Sequence, residues 1–143
     1  MEFAIAEARQ AKQAGELPIG AVITSRAGVI ARNRCREAAQ KTVLAHAELQ
    51  ALNDACKALG STDLSACTIY CSNEPCLMCA AAIFQAKIAR IVIGAARGDL
   101  PHLMRDRKFR IEHLAEDSGY NIEIVRGVLK DEVLGLFAGI RKR

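Results

Sequence analysis

Four side chains in two short stretches have the types and spacing to do chemistry together. Ala45-His46-Ala47-Glu48 offers an imidazole and a carboxylate, and Pro75-Cys76-Leu77-Met78-Cys79 answers it with two thiols. Zinc takes imidazole nitrogen and thiolate sulfur, and a catalytic zinc keeps three protein ligands and leaves its fourth position to water. Such a water reaches a pKa of about 7, which makes hydroxide available at neutral pH. The sequence therefore predicts one Zn2+ per chain on His46, Cys76 and Cys79, with Glu48 left over as a general acid and base. A lone His on a helix is usually structural, and a lone C-x-x-C is usually a redox pair or a structural zinc site. A redox pair has no use for His46 and Glu48, so the combination favours the catalytic metal.

The elements that must position these groups can be read from periodicity. Ala45, Leu49, Leu52, Cys56 and Leu59 recur at helical spacing, and Gly60 ends that helix. His46 and Glu48 are two residues apart, about 200° around an ideal helix. They meet in one pocket only if the pair sits in the first turn, where the entering chain lets His46 lean forward. Thr68 to Cys71 reads as a buried strand, and Pro75 suits the first position of the next helix. Cys76 and Cys79 then share a face, at a helix end that favours negative charge and lowers thiol pKa values.

The rest of the chain supplies the frame. Phe3 to Gln13 is helical, with Gly15 as its stop. Gly20 to Thr24 and Val29 to Asn33 form a hairpin, and Arg34 to Thr42 is a polar loop. Ala80 to Ala86 belongs to a buried helix, and Ile88 to Ala95 is a fourth strand. Pro101 to Ser118 reads as mostly helical, with Leu103, Phe109, Ile111 and Leu114 inward. Ile122 to Val125 is a fifth strand and Asp131 to Ile140 a last helix. A helix between the fourth and fifth strands implies a parallel right-handed crossover. The expected fold is a three-layer α/β/α sandwich around a five-stranded mixed sheet, as a single domain over residues 1–143.

Bulk properties exclude little but bound the answer. The 143 residues are 51% hydrophobic with no Trp, four Phe and two Tyr, so aliphatic side chains must fill the core. No run of eighteen apolar residues suggests a transmembrane span, and Glu2 and Glu7 argue against a secretory leader. A chain this apolar does not need disulfides, and a metal site wants free thiolates. We therefore expect a reduced, cytoplasmic protein in which Cys35, Cys56, Cys67 and Cys71 pack. The net charge is +4, yet residues 42–96 hold Lys57, Lys87 and Arg90 against Glu48, Asp54, Asp63 and Glu74. The positive excess lies in the flanks, in Arg32, Arg34 and Arg36 and in the tail Arg141-Lys142-Arg143. The Arg32–Arg36 run reads as a solvated face, with RNA binding as the alternative.

Together the motifs resemble the cytidine and deoxycytidylate deaminase superfamily, whose signature joins H-x-E to P-C-x-x-C. The chain looks most like the branch of tRNA adenosine deaminases, cytosine deaminase and guanine deaminase. The resemblance covers almost the whole chain, from Gly15-Glu16-Leu17-Pro18-Ile19-Gly20-Ala21-Val22 to Ile122-Glu123-Ile124-Val125-Arg126-Gly127-Val128-Leu129. It implies that Asn33 contacts the substrate ring and that backbone near Ser72 and Asn73 orients the exocyclic amine. It also implies a homodimer paired through the helix at Ala80 to Ala86. Where the tRNA enzymes carry Asp-Pro-Thr before the His, this chain has Thr42-Val43-Leu44. Where they carry a Lys-Thr-Gly loop after the fourth strand, it has Arg97-Gly98-Asp99-Leu100-Pro101-His102. Both stretches should border the substrate, and His102 has the reach to enter the pocket. The expectation is a hydrolytic deaminase of a free base or nucleoside of the guanine or cytosine type. A tRNA-specific adenosine deaminase is the alternative.

Overall fold

The computed structural model describes residues 1–104 and 107–140, so the tail Arg141-Lys142-Arg143 lies outside the described residues. Among the described residues, six α-helices and five strands succeed one another in the order α1 (Glu2–Gln13), β1 (Gly20–Ser25), β2 (Gly28–Arg34), α2 (Glu37–Gln40), α3 (Ala47–Leu59), β3 (Thr68–Asn73), α4 (Leu77–Gln85), β4 (Arg90–Ala95), α5 (Ile111–Ser118), β5 (Glu123–Val125) and α6 (Lys130–Leu136). The sheet order is β2-β1-β3-β4-β5. β1 is antiparallel to β2 and β3, whereas β3, β4 and β5 run parallel through the α4 and α5 crossovers. Helices α1 and α6 cover one face, and α3, α4 and α5 pack on the other side. This is the expected three-layer fold with its mixed sheet.

The alternation of the strands makes the core. Ala21, Ile23, Ile69, Cys71, Ile91 and Ile93 all turn toward α3 and α4, and each is fully buried. A buried Ile contributes about 1.5–3 kcal/mol, so these four isoleucines are a principal source of stability. The facing side of α3 is not the predicted stripe. Ala47, Glu48, Ala51, Leu52 and Ala55 are buried, whereas Leu49 and Cys56 are half-buried and Leu59 is 43% exposed. Alanines win this face because they let the helix lie close on β1 and β2, which suits a chain poor in aromatics. Gly60 ends α3 as expected, in the left-handed region, with Ser61 N–H returning to Cys56 O at 3.1 Å.

Three local expectations are corrected. Residues 101–110 are not helical where they are described, and α5 begins only at Ile111. Of its predicted inward residues Ile111 is buried, Leu103 and Leu114 are half-buried, and Phe109 is 47% exposed. The apolar spacing there comes from a cavity wall and a helix start, not from one continuous helix. Residues 34–42 are not simply loop, because α2 forms within them. Pro75 is not the first helical residue; it precedes the N-cap Cys76.

Two glycines set how closely the layers approach. A Cβ on Gly20 would collide with the α1 backbone at Ala4 O and Ala8 N, and one on Gly94 would sit 2.5 Å from Ser72 O and 2.8 Å from Val133 Cγ2. Backbone cannot yield as a flexible side chain can. Gly20→Ala should therefore cost at least the about 1–3 kcal/mol typical of overpacking. Urea unfolding of the variant beside the parent protein checks this, and an unchanged midpoint would contradict the close approach of α1 to β1.

Candidate metal centre

Two helix N-termini converge at the C-terminal ends of the parallel strands. His46 is the N-cap of α3, with extended backbone angles of φ −72° and ψ 147°; Cys76 is the N-cap of α4, with φ −70° and ψ 168°. Helical geometry begins only after each of them. That is how His46 and Glu48, two apart in sequence, escape the 200° separation of a helix interior. Neither N-cap side chain makes a capping hydrogen bond to its helix backbone.

They point at each other. His46 Nδ1 lies 3.3 Å from Cys79 Sγ and 3.6 Å from Cys76 Sγ, and the two sulfurs are 3.5 Å apart. A tetrahedral zinc with bonds of about 2.3 Å to sulfur and 2.0–2.1 Å to nitrogen sets ligand–ligand edges of about 3.6–3.8 Å. The triangle is that size to within a few tenths of an ångström. Among the described residues this is the one cluster of three or more His, Cys, Asp or Glu side chains able to hold a metal ion. The donor set of one imidazole and two sulfurs is what zinc prefers, so the residues fit the ion.

The electrostatics agree. The Cys76 thiol is pulled down to about 3, first by donation from Cys79 and then by His46. Cys79 is pushed up, first by the charge it serves on Cys76 and then by burial. His46 is raised to about 9, chiefly by Cys76. These shifts favour charge on Cys76 and His46 and oppose it on Cys79. Only a cation lets both sulfurs ionise. Glu48 is 3% exposed, burial raises its pKa, and its Oε2 has no hydrogen-bond partner. A buried carboxyl oxygen without a partner costs about 1–3 kcal/mol, which marks a place kept for a ligand or a proton.

A cavity of about 200 Å³ opens beside this centre. Leu17, Ile19, Leu103 and Met104 give it apolar walls, and Glu37, His46 and Arg97 are its polar or charged groups. The residues after β4 border it as expected, through Arg97 and then Leu103 and Met104. His102 is exposed and is not part of the wall.

The other predicted contacts are not brought to this cavity. Asn33 is buried with its amide committed: Nδ2 donates to Asp54 Oδ2 at 2.6 Å, and Oδ1 accepts from Arg36 Nη1 at 3.0 Å. The Ser72 hydroxyl accepts from Gly20 N–H at 3.0 Å and so pins β3 to β1. Asn73 is 1% exposed, and neither of its amide atoms has a hydrogen-bond partner.

Two acidic residues near the centre do not stand out in the sequence. Glu37 Oε1 stands 3.4 Å from His46 Nε2. Glu74 accepts from Arg97 N–H at 2.9 Å and pairs with Arg126 at 3.0 Å, which fastens the turn before Cys76. Its place directly before Pro75-Cys76 is the available signal. Glu37 gives none, since it lies in a stretch that reads as loop.

Comparison with known proteins agrees with this geometry. The family model for MafB19-like deaminases matches residues 1–131. The tRNA-specific adenosine deaminase of Bacillus subtilis (strain 168) is 36% identical over an alignment covering 100% of this chain and 89% of its own length. A structure from work on A-to-I editing by tRNA:A34 deaminases superposes with a TM-score of 0.81 at 34% identity, covering 95% of this chain and 96% of that one. Guanine deaminase from Nitrosomonas europaea superposes with a TM-score of 0.84 at 26% identity, covering 94% and 79%.

Protein purified without chelator should carry about one zinc per chain. Cys76→Ala should lose it while keeping the far-UV spectrum of the parent. Elemental analysis of both proteins checks this; a parent without metal would leave the triangle unexplained.

Proposed function

The chain belongs to the MafB19-like deaminase family, and from that premise we propose that it is a zinc-dependent adenosine deaminase acting on RNA of the tRNA kind. In this reading it works as a single domain over residues 1–143, in the cytoplasm. Deamination is named both for the tRNA-specific relatives and for the guanine-type structural neighbours. The finer choice rests on the relative named a tRNA-specific adenosine deaminase, which is alike over the whole chain. It therefore follows the alternative of the sequence reading more than its first choice.

One feature of the molecule carries the RNA reading. Arg107, Lys108, Phe109 and Arg110 are consecutive and exposed. Arg107, Phe109 and Arg110 line a crevice that shares Arg97 with the 200 Å³ cavity. Basic groups neutralise phosphates, and an exposed aromatic ring offers a face on which a base can stack. A free base needs neither. In the Arg32–Arg36 run, Arg32 and Arg34 pair with Glu7 at 3.2 and 3.1 Å, and Arg36 bonds Asn33 and Gln50.

In the reaction, a C–O bond forms at the amine-bearing ring carbon and the C–N bond breaks. The two protons of water end on the ring nitrogen and on the departing ammonia. A zinc held by His46, Cys76 and Cys79 supplies the activated water. Glu48 takes the first proton and hands it to the ring nitrogen, then passes the second to the leaving amine. Burial raises the pKa of the Glu48 carboxyl and so makes it a better proton acceptor than an exposed carboxylate. The apolar walls at Leu17, Ile19, Leu103 and Met104 receive the flat base and exclude water.

A second reading, a guanine-type free-base deaminase, draws on the superposition with guanine deaminase. The homodimer also belongs to this proposal, since α4 keeps Met78 (36% exposed) and Ala81 on its outer side.

Two results are expected. Glu48→Gln should retain zinc and fold yet lose about 10²–10⁴-fold or more in turnover, because glutamine has the shape of glutamate but carries no proton. Zinc analysis and single-turnover assays on the variant check it. An RNA stem-loop should be deaminated, with binding that weakens steeply with salt. Replacing Arg107, Lys108 and Arg110 together by Ala should flatten the log–log salt slope by about 2, at about 0.7 per phosphate contact on single strands. Ammonia release from guanine or cytosine, with none from the stem-loop, would install the second reading instead.

A further inference from the structure

We infer that Glu37 is the positioning residue of the metal centre: its carboxylate holds the His46 ring by Nε2 so that Nδ1 faces the two cysteine sulfurs. The inference rests on the reading that His46, Cys76 and Cys79 bind the ion.

His46 has two ring nitrogens and only one serves the triangle. Nδ1 lies against both sulfurs, at 3.3 and 3.6 Å. Nε2 faces away, toward Glu37 Oε1 at 3.4 Å. A neutral imidazole that gives Nδ1 to a metal must carry its proton on Nε2, and a carboxylate there fixes both the tautomer and the ring plane. The second oxygen of Glu37 is also engaged, with Cys35 Sγ at 3.7 Å. The carboxylate is therefore held from two sides.

Its carrier is anchored as well. Helix α2 has four residues, too few to be stable alone. Glu16, 7% exposed, accepts from Ala38 N–H at 3.1 Å and from Ala39 N–H at 2.8 Å. These are amides of the first turn, so Glu16 caps α2 from the segment that precedes β1. Arg36, its N-cap residue, is tied to α3 through Gln50 at 3.1 Å. The order is Glu16, then α2, then Glu37, then the His46 ring. This gives the Gly15-Glu16-Leu17-Pro18 stretch a task beyond starting a strand, and gives α2 a reason to stand within a stretch that reads as loop.

The test is zinc affinity, measured on the full chain by competition with a chromophoric chelator. Glu37→Ala should weaken zinc about 10–100-fold, the range found when an outer partner of a ligating His is removed. Glu37→Gln should recover most of that loss, because its amide oxygen still accepts from Nε2–H. Long-range ¹⁵N–¹H spectra of the zinc-loaded proteins should show His46 protonated at Nε2 in the parent and in Glu37→Gln. Thermal unfolding of the metal-free forms controls for folding. Equal affinity in Glu37→Ala and the parent would overturn the inference, as would a Gln variant no better than Ala. A parent that binds no zinc would instead overturn the metal centre itself.

Discussion

Everything near the centre depends on one crowded triangle, His46 Nδ1 and two sulfurs with edges of 3.3 to 3.6 Å. Its members come from the starts of two different helices, and the chain gives up ordinary helix capping to form it. An N-cap Ser, Thr, Asp or Asn stabilises a helix by about 0.5–2 kcal/mol; His46 and Cys76 occupy those positions and cap nothing. The deficit for two helices is thus about 1–4 kcal/mol. Zinc binding at Cys/His sites releases about 10–16 kcal/mol near neutral pH, far more than the caps would give. The helix starts face the cluster instead, and the sheet must be rigid enough to present both at once.

Rigidity comes from the parallel strands below and from buried carboxylates around the rim. Glu7, Glu16 and Glu74 are each 7% exposed. Glu7 ties α1 to β2 through Arg32 and Arg34, Glu16 caps α2, and Glu74 ties the β3–α4 turn to Arg97 N–H and to Arg126. The arginines that meet Glu7 and Glu74 are about a third exposed and Glu16 meets backbone amides, so each contact contributes less than a fully buried ion pair would. Each acid ties one segment of the chain to another. The segments tied by Glu16 and Glu74 carry Glu37, Cys76 and Arg97, which border the cluster and the cavity.

The features legible in the sequence are those with strong local rules. Strand alternation at Ile69 and Cys71, the glycine stop at Gly60 and the ligand spacing at Cys76 and Cys79 follow from backbone periodicity, which neighbours do not alter. The α3 stripe misleads because hydrophobicity ranks Leu above Ala, whereas the close approach to β1 and β2 prefers Ala47, Ala51 and Ala55. Residues 101–110 mislead because a cavity wall and a helix leave the same apolar spacing. Glu37 is invisible for a different reason. Its value lies in a contact nine residues away across a four-residue helix that is itself held by Glu16, and no local pattern encodes that.

The placement of charge follows the same logic. Counted along the sequence, Arg32, Arg34 and Arg36 form the densest basic run before the site, and they invite an RNA-binding reading. In the fold two of them share a single buried glutamate, while Arg32 also covers the Phe3 ring at 4.6 Å. Residues 107–110 carry three basic side chains on exposed chain and border Arg97, which also lines the cavity beside His46. Phosphates laid along that edge would run past the mouth of the site rather than across the far side of the sheet. A base extruded from such a strand has a short path to the space beside His46, and extrusion is what an enzyme acting on a nucleobase within a polymer requires.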